Sequence, residues 1–112
     1  MMPRFRRRTV KARSQRSEAL ALLGLAQRAG AVVKGTDATR KALRRGEARL
    51  VLLATDGSEK QQGKILPLAH ARGVRCEKLA SMEELGEAVG AGPLGVIAVT
   101  GTRFSGEIQK RL

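Results

Sequence analysis

The most informative stretch of this chain is Val33-Lys34-Gly35-Thr36-Asp37-Ala38-Thr39-Arg40-Lys41-Ala42-Leu43-Arg44-Arg45-Gly46. It predicts a glycine turn followed by a helix, with Thr36 or Asp37 as the N-cap. The first-turn amides of such a helix have no partner inside it, and the helix dipole makes this end mildly positive, so a phosphate is stabilised there. Further positive charge follows over two turns, at Arg40, Lys41, Arg44 and Arg45. The stretch therefore indicates a surface for an extended polyanion, with RNA as the first candidate.

The overall composition also favours a polyanionic partner. The chain has 112 residues, of which 42% are hydrophobic, enough for the core of one small domain. Its formal net charge of +12 favours RNA or a membrane surface. Phe5 and Phe104 are the only aromatic residues, which argues against the stacking of bases on exposed rings. Any bound RNA must therefore be recognised in another way.

Residues 1–16 form a strongly basic segment with almost no apolar content. Such a segment buries too little surface to fold alone, so we expect a flexible tail that is disordered until bound, followed by a single domain over residues 17–112. The tail is expected to contact phosphates without sequence preference, through Arg4, Arg6, Arg7, Arg8, Lys11, Arg13 and Arg16.

The sequence predicts a cytoplasmic protein with no membrane partner. The apolar run from Ala19 to Ala26 is too short for a secretory signal, since Glu18 and Arg28 bound it closely. No segment approaches the roughly 20 apolar residues that span a bilayer. Cys76 is the single cysteine, so an internal disulfide is excluded and a reducing compartment is favoured.

Helix and strand signals alternate along the chain. The predicted helices cover 17–29, 37–45, 58–73, 81–89 and 105–112, and the predicted strands 31–34, 50–54, 74–78 and 96–99. Capping-box patterns at Ser58 and Ser81 mark two of the helix starts. The apolar side of the third helix is expected to carry Ile65, Leu66, Leu68 and Ala69. This alternation predicts a three-layer α/β/α sandwich with helices on both faces of a small mixed sheet.

The segment Gly90-Ala91-Gly92-Pro93-Leu94-Gly95 matches the letters of the dinucleotide-binding pattern G-x-G-x-x-G. That pattern needs a strand before it and a helix after it, whereas here a helix precedes and a strand follows. We therefore interpret the segment as a bent loop of small apolar residues, which an unstacked base or another backbone could approach closely. Whether this loop lies beside the Gly35 turn is a question of topology that the sequence leaves open.

Catalytic and metal-binding patterns are weak throughout the sequence. His70 has no cysteine or second histidine at ligand spacing, so we expect a residue on a helix surface, no metal site and no cofactor. Cys76 is expected to be a small buried thiol in a strand. Glu83, Glu84 and Glu87 have the spacing of one solvated helix face. The sequence therefore predicts a protein that is not an enzyme.

Three stretches resemble the ribosomal-protein family whose archaeal and eukaryotic members bind kink-turns in RNA. The run from Lys34 to Gly46, followed by the strand Leu50 to Ala54 and by Asp56, is the first. Leu85-Gly86-Glu87-Ala88-Val89-Gly90 resembles the motif before the family's apolar recognition loop, and Leu22 to Ala29 resembles the opening helix of its small bacterial YlxQ-type members. Together they span about residues 17 to 104. The resemblance implies an α/β/α sandwich and non-catalytic binding of structured RNA.

The resemblance also assigns roles to residues. In the family the glycine turn and the following helix enter the widened RNA groove at tandem sheared guanine-adenine pairs, and the apolar loop contacts an extruded nucleotide. Lys41 can donate a hydrogen bond to guanine O6 or N7, and Gly35 permits close approach. The RNA contacts implied here are Lys34, Gly35, Thr36, Asp37, Ala38, Arg40, Lys41, Arg44, Gly90, Ala91, Gly92, Pro93 and Leu94.

Two positions depart from the archaeal motif. Asp37 stands where that motif has asparagine, and Ala38 where it has glutamate. An ionised aspartate accepts hydrogen bonds but cannot donate one, and alanine offers neither, so up to two polar base contacts are absent. At roughly 1 to 3 kcal/mol for each good bidentate contact, the absence of these contacts lowers kink-turn affinity by one to several orders of magnitude. The resemblance also implies that bacterial members vary at these positions, so loss of binding does not follow.

Three functions are carried forward. The leading hypothesis is a protein that binds ribosomal or other structured RNA, with ribosomal or other ribonucleoprotein components as further partners. The second is a protein-interaction or regulatory module that keeps the sandwich but has replaced its RNA edge with a protein groove, which Asp37 and Ala38 favour. The third is a detached accessory domain of an RNA-modifying enzyme, since the resemblance includes domains fused to RNA methyltransferases.

Overall fold

A computed structural model describes the backbone of residues 4–112 and the side chains from residue 13 onward. Six helices and four strands alternate along this part of the chain. The helices are α1 (Arg4–Arg28), α2 (Thr36–Arg44), α3 (Glu59–Gly63), α4 (Leu66–Ala71), α5 (Met82–Ala88) and α6 (Thr102–Gln109). The strands are β1 (Val32–Lys34), β2 (Leu50–Ala54), β3 (Arg75–Ala80) and β4 (Val96–Val99).

The four strands form one mixed sheet in the order β1-β4-β2-β3. The central strand β4 is antiparallel to both of its neighbours, with Val32 opposite Val99 on one side and Leu50 opposite Val99 on the other. Strands β2 and β3 are parallel. Strands β1, β2 and β3 therefore finish at the same end of the sheet, where β4 starts. We call this the carboxyl end of the sheet.

The central strands are apolar throughout because both of their faces are covered by helices. Every residue of β2 and β4 is buried. Leu50 and Leu52 pack with residues of α1, α5 and α6 on one face, while Val51 and Leu53 pack with residues of α2 and α4 on the other. The predicted three-layer α/β/α sandwich is confirmed.

Helix α1 is longer than the sequence predicts. It runs from Arg4 to Arg28, so residues 4–16 are helical where a flexible tail is expected. No glycine or proline interrupts the chain between Arg4 and Leu23, and arginine, lysine, alanine and glutamine are good helix formers, so the packed helix over 17–28 extends without a break. Residues 1–3 and the side chains of Arg4 to Lys11 lie outside the described part of the chain. The division into a tail over 1–16 and a domain over 17–112 stays a prediction.

The region after β2 contains two short helices instead of the single one predicted. Ser58 caps α3 as expected, since its hydroxyl accepts a hydrogen bond from the Gln61 amide at 3.3 Å. Pro67 lies in the first turn of α4, where its missing N–H costs nothing, but its ring prevents a continuous helix through the preceding residues. Leu66 is 45% exposed, so its predicted place on the apolar side is wrong, whereas Ile65 is buried.

Candidate nucleic-acid interface

The two predicted recognition segments lie together at the carboxyl end of the sheet. The Gly35 amide donates to the Val96 carbonyl at 2.9 Å, which joins the turn before α2 to the start of β4. The loop from Gly90 to Gly95 leads directly into that strand, and the Gly95 carbonyl accepts a hydrogen bond from the Ala54 amide at 2.9 Å. Since β1 and β4 are neighbours, the chain folds so that residues distant in sequence form one continuous edge.

Helix α2 begins without a side-chain cap. Its N-cap is Gly35, with φ 93° and ψ 167°, so the prediction of Thr36 or Asp37 at this position is wrong. The positive φ reverses the chain immediately after its last β1 pairing, and only glycine adopts such a conformation without strain. The helix therefore starts one residue earlier than the polar side chains suggest. The first-turn amides are left without a capping oxygen and are available to an anionic ligand.

The exposed side chains of α2 form a mostly basic strip. Lys41, Arg44 and Arg45 are exposed, with Lys34 just before the helix and Asp37 in its first turn. Positions 37, 41 and 44 share a face, because residues four and then three apart meet along a helix. The strip presents positive charge along the helix behind the open first-turn amides.

Arg40 differs from the other cations of the helix. It is half-buried, and its Nε is buried with no hydrogen-bond partner among the described residues. The buried Thr39 hydroxyl is likewise without a partner there. Leaving a buried donor unpaired costs about 1–3 kcal/mol. Arg40 is therefore not a simple member of the broad basic face that the sequence predicts.

The loop over Gly90–Leu94 is held against α5. The Ala91 amide donates to the Gly86 carbonyl at 2.8 Å, and the Leu94 amide donates to the Met82 carbonyl at 3.0 Å. The loop passes so close to the helix that a β-carbon at Gly86 would fall 2.7 Å from the carbonyl carbon of Gly92. Gly92 and Pro93 are exposed at its tip. The loop is thus a small apolar projection on a fixed base, as the sequence predicts for a surface that contacts an unstacked base.

Asp56 and Gln62 brace this end of the sheet and were not singled out as site residues. The Asp56 carboxylate accepts a hydrogen bond from the Met82 amide at 2.8 Å, which ties the chain after β2 to the start of α5. The buried Gln62 side chain donates to the Ala54 carbonyl at 2.8 Å. An aspartate directly after a buried strand is the signal that could have revealed the first contact, but no local pattern reveals the second.

Helix α5 starts beside the loop with the capping box that the sequence predicts. The Ser81 hydroxyl accepts from the Glu84 amide, and the Glu84 carboxylate accepts from the Ser81 amide, both at 3.1 Å. Hydrogen bonding of the Glu84 carboxylate to the Ser81 backbone amide, and then to the Ser81 side chain, lowers the pKa of the Glu84 carboxyl. The base of the loop therefore includes a carboxylate that is ionised at neutral pH.

The residues considered for chemistry lie elsewhere or are inert. His70 is exposed on α4, as expected. Cys76 is half-buried, and burial, followed by the nearby charge of Glu77, raises its pKa to about 11, so the thiol is protonated at neutral pH. Within the described part of the chain, no group of three or more histidine, cysteine, aspartate or glutamate residues is placed to hold a metal ion. In the same range, no helix is long and apolar enough to cross a membrane.

The structure is an α/β/α sandwich in which a helix with a glycine N-cap and a loop held against α5 lie at one end of the sheet. This combination defines the class of small α/β domains that the sequence resembles. The model of the Ribosomal protein L7Ae/L30e/S12e/Gadd45 family matches residues 17–108. That match covers more than half of the chain, and the chain belongs to this family.

Individual relatives agree with the family assignment. The chain is 37% identical over 87 residues to the RNA-binding protein YlxQ of Bacillus subtilis, which covers 78% of this chain and 87% of that protein. It is 40% identical over 74 residues to the large ribosomal subunit protein eL8 of Haloquadratum walsbyi, covering 65% of this chain and 62% of that protein. A structure of a protein of unknown function from Bacillus halodurans C superimposes with a TM-score of 0.80 at 29% identity, over 83% of this chain and 94% of the other.

Proposed function

We propose that this chain is a non-catalytic RNA-binding protein of the cytoplasm that recognises a kink-turn or a similarly bent internal loop, in ribosomal RNA or another ribonucleoprotein. Membership of the family and the relatives named for RNA binding support the general function. The proposal for a bent internal loop rests on one observation. The uncapped start of α2 and the apolar loop held against α5 lie at the same end of the sheet. The hydrogen bond from the Gly35 amide to the Val96 carbonyl joins the turn before α2 to the strand that follows the loop.

Each segment has a chemical task in this proposal. The first-turn amides of α2 and the exposed Lys41 bind phosphate and guanine edges in the widened groove. Lys34 and Arg44 add positive charge on either side, and Arg40 contributes from its half-buried position. The loop over Gly90–Leu94 packs on an extruded nucleotide through small apolar side chains instead of an aromatic ring. The basic residues of segment 1–16 supply phosphate contacts that are indifferent to sequence.

Binding of the full chain to a kink-turn RNA, compared with a straight duplex of equal length at physiological salt, tests the proposal. The wild type should prefer the kink-turn, and Lys41→Ala should remove most of that preference. Arg72→Ala is the control, since Arg72 is also an exposed cation and lies at the end of α4, at the opposite end of the sheet from the start of α2. Equal affinity of the wild type for both RNAs would contradict kink-turn recognition and leave only general attraction to phosphate.

Asp37 favours a second candidate function, a protein-interaction module on the same fold. Its carboxylate is exposed in the first turn of α2. There its negative charge interacts favourably with the helix dipole, which stabilises the helix, and repels phosphate. On this alternative the full chain binds RNA only through general charge, so Lys41→Ala and Arg72→Ala weaken binding to both RNAs by the same small factor.

A further inference from the structure

A second basic surface lies near the carboxyl end of the sheet, on the side away from α2. It is a cleft of about 510 Å³ between α1, strand β3 and the end of α6. We call it the β3 cleft. Arg13, Arg16, Lys78 and Arg111 line it, together with Gln15, Glu77, Leu79 and Leu112. Strand β3 is the last strand of the sheet, so the cleft and the start of α2 lie at opposite edges.

The charges of the β3 cleft differ in how they are used. Arg111 donates to Glu18 at 2.9 Å and to the Glu107 carbonyl at 2.8 Å, so it fixes α6 to α1. Arg13, Arg16 and Lys78 are exposed, and none of the described acidic side chains forms an ion pair with them. The ion pair of Glu18 with Arg111 therefore holds the cleft in shape, while three cations remain open to a ligand.

Contacts between the elements place the β3 cleft at the same end of the sheet as the candidate interface. Strand β3 ends at Ala80, whose carbonyl accepts from the Thr55 amide at 2.8 Å, and Ser81 and Met82 follow at once. Met82 in turn holds the loop through Leu94. The pKa of the Glu84 carboxyl, lowered first by the hydrogen bonds from Ser81, is lowered further by the charge of Arg16. The N-terminal half of α1 thus lies near the carboxyl end of the sheet.

The distance between the two surfaces suits one RNA molecule. Three strand spacings separate β1 from β3, which is about 14 Å within the plane of the sheet, and the two surfaces are farther apart than this because α1 and α2 cover opposite faces. An A-form RNA duplex rises less per base pair than the roughly 3.4 Å of B-form DNA, so the separation corresponds to more than about four base pairs of RNA. A duplex that continues from a recognised internal loop reaches the β3 cleft within a single stem.

We propose that the β3 cleft binds the phosphate backbone of a duplex stem continuous with the internal loop bound at α2, so that the preferred ligand is a bent RNA with one extended stem. This inference rests on the proposed function and adds the length of a stem to it. Arg13, Arg16 and Lys78 make the phosphate contacts, and Arg111 is a positioning residue.

The test compares the full chain with a double charge reversal, Arg16→Glu with Lys78→Glu, and a matched control, Arg72→Glu with Arg103→Glu. Both control residues are exposed and lie at the opposite end of the sheet. The change in net charge is the same in both variants, because each replaces two cations by glutamate. The probes are kink-turn RNAs in which one stem has either about three or about twelve base pairs. The stem on each side of the bend is lengthened in turn, in separate RNAs.

We expect the wild type to bind the RNA with one long stem at least about tenfold more tightly than the short form. The cleft variant should lose that gain and its salt slope should fall by about 2, while the control retains both. An equal loss in both variants would overturn the proposal, because only net charge would then matter. The proposal would also be overturned if neither long stem increased the affinity. That is the result expected if the cleft binds an acidic protein segment instead of RNA.

Failure of the proposed function gives a different result. If the wild type does not distinguish a kink-turn from a straight duplex, kink-turn recognition is wrong, whatever the stem length. The cleft is then judged on straight duplexes alone, where the Arg16 and Lys78 reversal must weaken binding more than the control pair does. Circular dichroism of both variants confirms folding before these comparisons.

Discussion

Replacing Gly86 by alanine should damage RNA binding without touching any residue that contacts RNA. Gly86 is buried in α5 under the loop over Gly90–Leu94. An alanine β-carbon there would lie 2.7 Å from the Gly92 carbonyl carbon and 3.0 Å from the Ala91 oxygen. Both neighbours are backbone atoms, which cannot rotate away as the end of a side chain does. The loop must therefore move.

The size of the movement follows from ordinary contact distances. Carbon atoms meet at about 3.5–4.0 Å, so the contact with the Gly92 carbonyl carbon requires a shift of about 1 Å, and the Gly92 carbonyl oxygen, which lies closer still to the added β-carbon, requires more. The hydrogen bond between Ala91 and the Gly86 carbonyl is strained by the same shift. Overpacking of this kind costs about 1–3 kcal/mol, offset by the gain of about 1 kcal/mol from alanine within a helix. The variant should remain folded with a loop out of place.

The assay is binding to a kink-turn RNA, measured together with thermal unfolding. We expect a loss of about 1.5–3 kcal/mol in binding, the order of magnitude for burying one apolar side chain of this loop, or roughly a ten- to 150-fold weaker affinity. Gly106→Ala is the matched control, because Gly106 is an exposed glycine within α6 and a β-carbon there meets nothing within 4 Å. That variant should bind as the wild type does and unfold at a slightly higher temperature.

Unchanged affinity of Gly86→Ala, in a protein that melts normally, would show that the loop is not part of the interface. An equal loss of affinity for a straight duplex would also refute the reasoning, because the loop is proposed to contact only an extruded nucleotide. The melting curve would reveal a variant that does not fold. That result would show that alanine at Gly86 costs more than the roughly 1–3 kcal/mol expected from overpacking.

Three further predictions follow from single side chains. Asp37→Asn should strengthen RNA binding by about tenfold in a titration at physiological salt, because it removes a negative charge beside the proposed phosphate site and restores a donor; unchanged affinity would place Asp37 outside the interface. Cys76, whose raised pKa keeps it protonated, should react slowly with iodoacetamide at neutral pH and faster towards pH 11; rapid labelling at pH 7 would contradict the burial. Ser81→Ala should lower the free energy of unfolding by about 1 kcal/mol. Because the folded pKa of Glu84 is below its unfolded value, the stability that its ionised carboxylate contributes is present at neutral pH and is lost as the pH falls through the folded pKa, so wild type and Glu84→Gln should converge in acid denaturation curves.

The sequence predicts the central strands well because their signal is local. The apolar runs over 50–54 and 96–99 coincide with β2 and β4, and Gly30 ends α1 with φ 72°, as a helix-terminating glycine should. The Ser81 capping box is equally local and is also observed. Pairing of β1 with β4 has no such signal, since it joins segments more than sixty residues apart.

The predicted site residues stay a prediction, and the structure differs from the sequence analysis in the local detail around them. Asp37 and Thr36 have good capping side chains, yet the backbone at Gly35 already turns the chain into the helix, so tertiary pairing with Val96 decides where α2 begins. Arg40 has the spacing of a surface residue and is half-buried nonetheless. The bracing by Asp56 depends on the separation of β2 from α5 in space, which local patterns do not contain.

The pairing of β1 with β4 also governs when the interface can exist during synthesis. Gly35 and the rest of the α2 start are made early, but their partner Val96 and the loop before it are among the last residues of the domain to be translated. Closing so long a loop is entropically costly and becomes favourable only when β4 has entered between β1 and β2. A nascent chain that ends before β4 therefore has a basic helix but no assembled interface. The proposed interface is completed in one late step, when the central strand completes the sheet.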